Sequence, residues 1–212
     1  MFGAASLTEV FQGIAPDVTF NFAGSDELAT QIREGAPADV YAAAGPRYPD
    51  ELFEEGLIEE PRIFAANRLV LVVPADNPAG IESVDDLTAD GVKLVVGAEG
   101  VPIGDYTRTV LESMDMTDVL ENVVSNEEDV KGVVGKITAG AADAGFVYVT
   151  DATAAGDDVR AIELSEDAQA VVQYPIAVVA ESENQDAAAA FVELMLSEEG
   201  QQALADAGFG PP

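Results

Sequence analysis

Three places in the 212-residue chain join an apolar run to a helical pattern through small residues, and these are where chemistry could sit. In FGAASLTEVF, Ser6 follows the first apolar run and opens a Ser-x-x-Glu pattern with Glu9, which reads as an N-cap with a capping box. In FNFAGSDELATQI, the pair Ala23-Gly24 precedes Ser25 at the cap position, with Asp26 and Glu27 in the first turn. In GVPIGDYTRTVLE, Pro102 suits the first helical position and Gly104 permits close backbone approach. Helix N-termini expose unbonded N–H groups and a partial positive charge, so several together can hold an anion without Lys or Arg. Arg33, Arg47, Arg62, Arg68, Arg108, Arg160, Lys93, Lys131 and Lys136 all fall outside these junctions, so the expected chemistry is neutral hydrogen bonding. Ordinary capping at every junction is an equally open reading of these features taken alone.

Composition removes most alternatives. Asp plus Glu number 40 against 9 Lys plus Arg, a net charge of -31, while hydrophobic residues still make up 48%. The acids are spread along the chain, which describes a folded core in an acidic shell and suggests a salt-loving source. Such a surface repels nucleic-acid phosphates and anionic headgroups, so no nucleic-acid partner is expected. With no Cys and no His, thiolate sites, cysteine nucleophiles and the usual proton shuttle are missing. No spacing marks a two-carboxylate hydrolase or a calcium loop, and the phosphate-loop pattern is absent. Tyr148 and Tyr174 lie in apolar runs, where core packing is the ordinary reading. An enzyme acting on acidic metabolites is therefore the weaker rival to a binding protein, and neither a cofactor nor a free metal cation is expected. No apolar run reaches the roughly 18 residues a membrane span needs, and no leader precedes Phe2.

The elements that would position these junctions alternate. Residues 2–5, 18–22, 40–43, 69–73, 94–96, 144–149, 159–162 and 171–179 read as strands, and 26–33, 106–113 and 127–139 carry helical spacing. Near-continuous apolar strands separated by helices imply α/β architecture with mainly parallel sheets, with ligands at the carboxyl ends of strands. Residues 69–74 and 173–179 are placed to be crossovers, giving one lobe of residues 1–74 and 176–212 and an inserted lobe of 75–175. Residues 186–207 should return as helices on the first lobe, and no internal repeat is evident.

The segments AASLTEVF, FAGSDELATQIREGAPADVYAAA, NRLVLVVP, VPIGDY, ADAGFVYVTDA, QYPIAVV and SEEGQQALADAGFGPP resemble, in order and nearly end to end, the molybdate-binding proteins of ABC importers. The resemblance implies a type II periplasmic-binding fold of two α/β lobes joined by two crossover strands, with the oxyanion in the cleft between them. It implies molybdate or tungstate as ligand, held by Ser6 and Ser25 through hydroxyl and N–H, by the N–H groups of Ile103 and Val147, and by the Tyr174 hydroxyl. Ile103 stands where alanine is more usual, which keeps the amide and reshapes the pocket. Residues 7–16 are shorter than the family's first helix by about two turns. A membrane permease is the implied partner, and the expected protein is a monomer outside the cytoplasm, tethered by a leader or lipid anchor absent from this chain. A receptor for another anion such as sulfate, or a ligand-sensing subunit outside transport, is the alternative.

Overall fold

The computed structural model describes residues 1–212. Along the chain come β1 (Phe2–Ala4), a 3₁₀ turn (Ala5–Leu7), α1 (Thr8–Ile14), β2 (Asn21–Ala23), α2 (Ser25–Arg33), β3 (Val40–Ala42), α3 (Arg47–Glu54) and β4 (Arg62–Asn67). Next are β5 (Leu69–Pro74), β6 (Leu94–Gly97), α4 (Pro102–Ser113), β7 (Val123–Glu127), α5 (Val130–Thr138), β8 (Ala144–Tyr148), α6 (Val149–Ala155) and β9 (Val159–Glu163). The chain ends with β10 (Val172–Val178), α7 (Gln185–Leu196) and α8 (Glu198–Asp206). It divides into two compact units, Met1–Asn67 with Val172–Pro212, and Arg68–Val171.

In the first unit the sheet order is β2-β1-β3-β10-β4. β1 runs parallel to β2 and β3, because each is reached through a helical crossover, while β10 is antiparallel to both β3 and β4. The sheet is covered on both faces, which is why β1 and β3 are wholly buried. One face holds Phe2, Leu28, Ile32, Tyr41 and Leu52. The other gathers Phe11 edge-on to Phe191, ring centroids 5.2 Å apart, with Phe64 and Phe209 standing edge-on to Tyr174.

The second unit repeats the plan as β7-β6-β8-β5-β9, with β6 parallel to β7 and β8, and β5 antiparallel to β8 and β9. In each unit the strand that follows the crossing from the other unit runs against the other four, so both sheets are mixed and, as expected, mainly parallel. The crossings fall at Asn67/Arg68 and Val171/Val172, so residues 69–74 belong to the second sheet and 172–175 to the first. The expected borders after 74 and 175 are shifted accordingly. The internal duplication is one of topology, with β1, β2 and β3 matching β6, β7 and β8, and leaves no trace as a sequence repeat. No helix is long and apolar enough to cross a membrane.

Candidate functional site

In both units the first two parallel strands run directly into helix starts at their carboxyl ends, the place where open α/β sheets hold ligands. These four junctions are built differently, and the differences decide which donors are spent within the protein.

After β1 the 3₁₀ turn places Ser6 ahead of α1 instead of at its start. The expected capping box with Glu9 is not formed, and α1 has no side-chain cap; Thr8 Oγ1 donates to the Ala5 carbonyl at 2.7 Å. Ser6 is buried, and its hydroxyl meets the Tyr174 hydroxyl at 2.9 Å. Tyr174 is fully buried on β10 next to Pro175, where the register against β4 shifts. Proline lacks the ladder N–H, and a bulge of this kind re-aims the neighbouring side chain. The two hydroxyls, 168 residues apart in sequence, are thus brought together.

After β2, Gly24 is the N-cap and Ser25 the first helical residue, so the expected cap role of Ser25 is also corrected. Its hydroxyl accepts the Ala44 N–H at 3.1 Å, tying α2 to the chain leaving β3, and its carbonyl accepts the Tyr41 hydroxyl at 2.7 Å. Burial first, then the Asp26 carboxylate, pushes the Tyr41 phenol well above its usual range, so it stays protonated and donates. The first bond inside α2 is Leu28 N–H to Gly24 O, which leaves the Ser25 N–H outside the helical ladder.

After β6, Pro102 occupies the first turn of α4 as expected, and Ile103 follows, almost fully buried. A Cβ on Gly104 would lie 2.1 Å from the Ala98 carbonyl oxygen, and one on Gly97 would lie 2.6 Å from Gly104 N and from Ile103 Cγ2. Two glycines therefore let the helix start sit against the strand end, and the extra bulk of Ile103 fills the space above Gly97. Arg108, one turn further along α4, reaches back to this junction, although it was expected to lie outside it. Its Nη1 donates to the Gly97 carbonyl at 3.1 Å and the Gly104 carbonyl at 2.8 Å.

After β7, Asp129 caps α5 by accepting the Gly132 N–H at 2.9 Å, and Val130 is the first helical residue, in the position Ser25 holds in the first unit. Val147 is not at a helix start. It lies inside β8 opposite Val70, and because the Val149 N–H donates to Arg68 O at 3.0 Å, the two-residue alternation of an antiparallel ladder turns the Val147 N–H toward β5 as well. The Val147 N–H is thus spent in the ladder, whereas Val130 stands at the start of α5. Helical spacing over residues 127–139 begins at Glu127, which is still strand, and so hides the signal that marks this helix start, the Asp129 cap followed by an apolar periodic run. Tyr148 ends β8 with its hydroxyl buried at the same edge of the sheet. Lys131 and the fully buried Asp151 side chain, 3.4 Å apart, join the starts of α5 and α6.

Two mixed α/β units whose strand ends carry N–H groups and buried hydroxyls have the make-up of a solute-binding protein. The chain belongs to the bacterial extracellular solute-binding protein family, whose model matches residues 4–210. It is 38% identical over 222 residues to the molybdate-binding protein ModA of Mycobacterium tuberculosis, covering 100% of this chain and 84% of that protein. Among solved structures it resembles the substrate-binding domain of a putative molybdenum ABC transporter from Clostridium difficile, at 34% identity and TM-score 0.70, covering 100% and 97% of the two chains. The Azotobacter vinelandii periplasmic molybdate-binding protein shares the fold, with TM-score 0.89 at 18% identity and coverage of 100% and 98%.

Proposed function

We propose that this protein is the solute-binding component of an ABC importer for molybdate or tungstate, and that it binds its ligand without transforming it. The hydroxyls of Ser6, Ser25 and Tyr174 and the N–H groups of Ser6, Ser25, Ile103 and Val130 would replace the water of a tetrahedral dianion. The Tyr148 hydroxyl, at the same strand edge as Ile103 and Val130, would add a donor from the second unit. A bare dianion is costly to bury unless every oxygen finds a donor. Helix N-termini supply such donors with favourably oriented dipoles. The observation that carries the reading is the pair of buried serines at the carboxyl ends of β1 and β2, one already joined to Tyr174, in a chain 38% identical to a molybdate-binding protein. Selectivity over sulfate would come from size, since fixed dipoles fit one oxygen-to-oxygen span best.

The protein would act outside the cytoplasm, as a monomer held near the membrane by a leader or lipid anchor, and deliver its ligand to a permease. Titration calorimetry with molybdate, tungstate and sulfate tests the reading. Molybdate or tungstate should bind at least about a hundredfold more tightly than sulfate, a gap of about 2.7 kcal/mol. Sulfate preference, or no binding, would overturn it.

Tyr174→Phe tests the Ser6 partnership. Losing one neutral hydrogen bond costs about 1 kcal/mol of folding stability, and losing a donor to an anion weakens binding by roughly tenfold. Thermal unfolding and calorimetry on the same variant read both, and unchanged affinity would place Tyr174 among purely structural residues.

A further inference from the structure

With 40 carboxylates and 9 basic residues, any cation in this protein has acids competing for it. Arg33 pairs with Glu51 and Glu55, Arg47 with Glu51, Arg62 with Glu193, Arg160 with Glu82, Lys136 with Glu127 and Lys131 with Asp151. Arg108 is different. Partly buried on α4, it takes no carboxylate and spends Nη1 on the carbonyls of Gly97, which ends β6, and Gly104, in the first helical turn. Its charge is therefore held at the first turn of α4, the helix start to which Ile103 belongs. Among the other helix starts, α1 carries Glu9 and α2 carries Asp26 and Glu27 in the first turn, and α5 pairs Lys131 with Asp151; α4 itself carries Asp105, whose carboxylate accepts the Gly100 N–H at 2.8 Å.

We propose that Arg108 is a specificity-determining residue that makes the site prefer a doubly charged tetrahedral oxyanion over a singly charged one of similar size. The inference rests on the oxyanion reading above. Coulomb attraction to one fixed charge is twice as large for a dianion as for a monoanion, so the corresponding affinity factor is squared. It also gives a chain of net charge -31 a local source of attraction for an anion.

The test compares molybdate with perrhenate, a singly charged tetrahedral oxyanion of similar size, on the wild-type protein, Arg108→Gln and Arg108→Lys. Arg108→Gln should weaken perrhenate binding about threefold and molybdate binding about tenfold at low ionic strength. Both losses should shrink in about 1 M salt, where the screening length falls to about 3 Å. Arg108→Lys should keep the wild-type ratio between the two anions, because it keeps the charge while changing the carbonyl contacts. Equal losses for both anions in Arg108→Gln, or losses independent of salt, would make Arg108 a structural prop and overturn the proposal. A changed anion ratio in Arg108→Lys would do the same. Wild-type protein that binds molybdate while the variants lose both anions equally leaves the functional reading intact, whereas wild type that binds neither anion overturns both.

Discussion

Gly104→Ala is expected to destabilise the protein by about 3 kcal/mol and to abolish detectable molybdate binding. Alanine is ordinarily the better helix residue by about 1 kcal/mol. Here sterics win, because the added methyl would lie 2.1 Å from the Ala98 carbonyl oxygen and 2.4 Å from that of Gly97. Both obstacles are backbone and cannot rotate away, so α4 must lift off the end of β6, carrying the Ile103 N–H with it and breaking the Arg108 bridge to Gly97. Gly13→Ala is the matched control: it lies in α1 with nothing within 4 Å of the new methyl. It should be neutral or stabilise by up to about 1 kcal/mol. Urea unfolding and calorimetry on the two variants separate propensity from packing, and wild-type stability in Gly104→Ala would refute the close-approach argument.

Ser25→Ala should cost on two counts that can be read separately. The Ala44 N–H, held in a buried segment, loses the acceptor it finds at 3.1 Å, which costs about 1–3 kcal/mol of stability. The ligand loses a hydroxyl that would bond a charged oxygen, so affinity should fall roughly thirtyfold, the equivalent of about 2 kcal/mol. A stability loss with unchanged molybdate affinity would confine Ser25 to tying α2 to the chain after β3 and would sink its place in the site.

Particular elements show how far a linear reading reaches. β5 and β8 were legible because they are central and buried on both faces, so their residues are apolar nearly without interruption. β4 and β7 were not. Both are edge strands, and VVSNE in β7 and RIFAAN in β4 mix exposed polar positions with apolar ones, which hides the run. β2 was placed three residues early at its start, because the apolar stretch from Val18 begins before the ladder does.

The site divides along the same line. That anion-binding helix starts follow small-residue junctions, that thiolate and imidazole chemistry are missing, and that the chain resembles molybdate-binding proteins are properties of residue type and local order. Which groups those starts offer is not. The Ser6 hydroxyl meets a tyrosine 168 residues away and the Ser25 hydroxyl an amide 19 residues away, and both partners are selected by the pairing of β10 with β3 and β4 and by the exit of β3. Sheet register likewise turned the Val147 amide into its ladder and left Val130 at the helix start, while one turn of α4 carries Arg108 back to the Gly104 carbonyl and the packing of α4 on β6 adds that of Gly97. Hydrogen-bond direction alternates along a strand and is read only against a neighbour, so tertiary pairing had to decide which donors remain for a ligand.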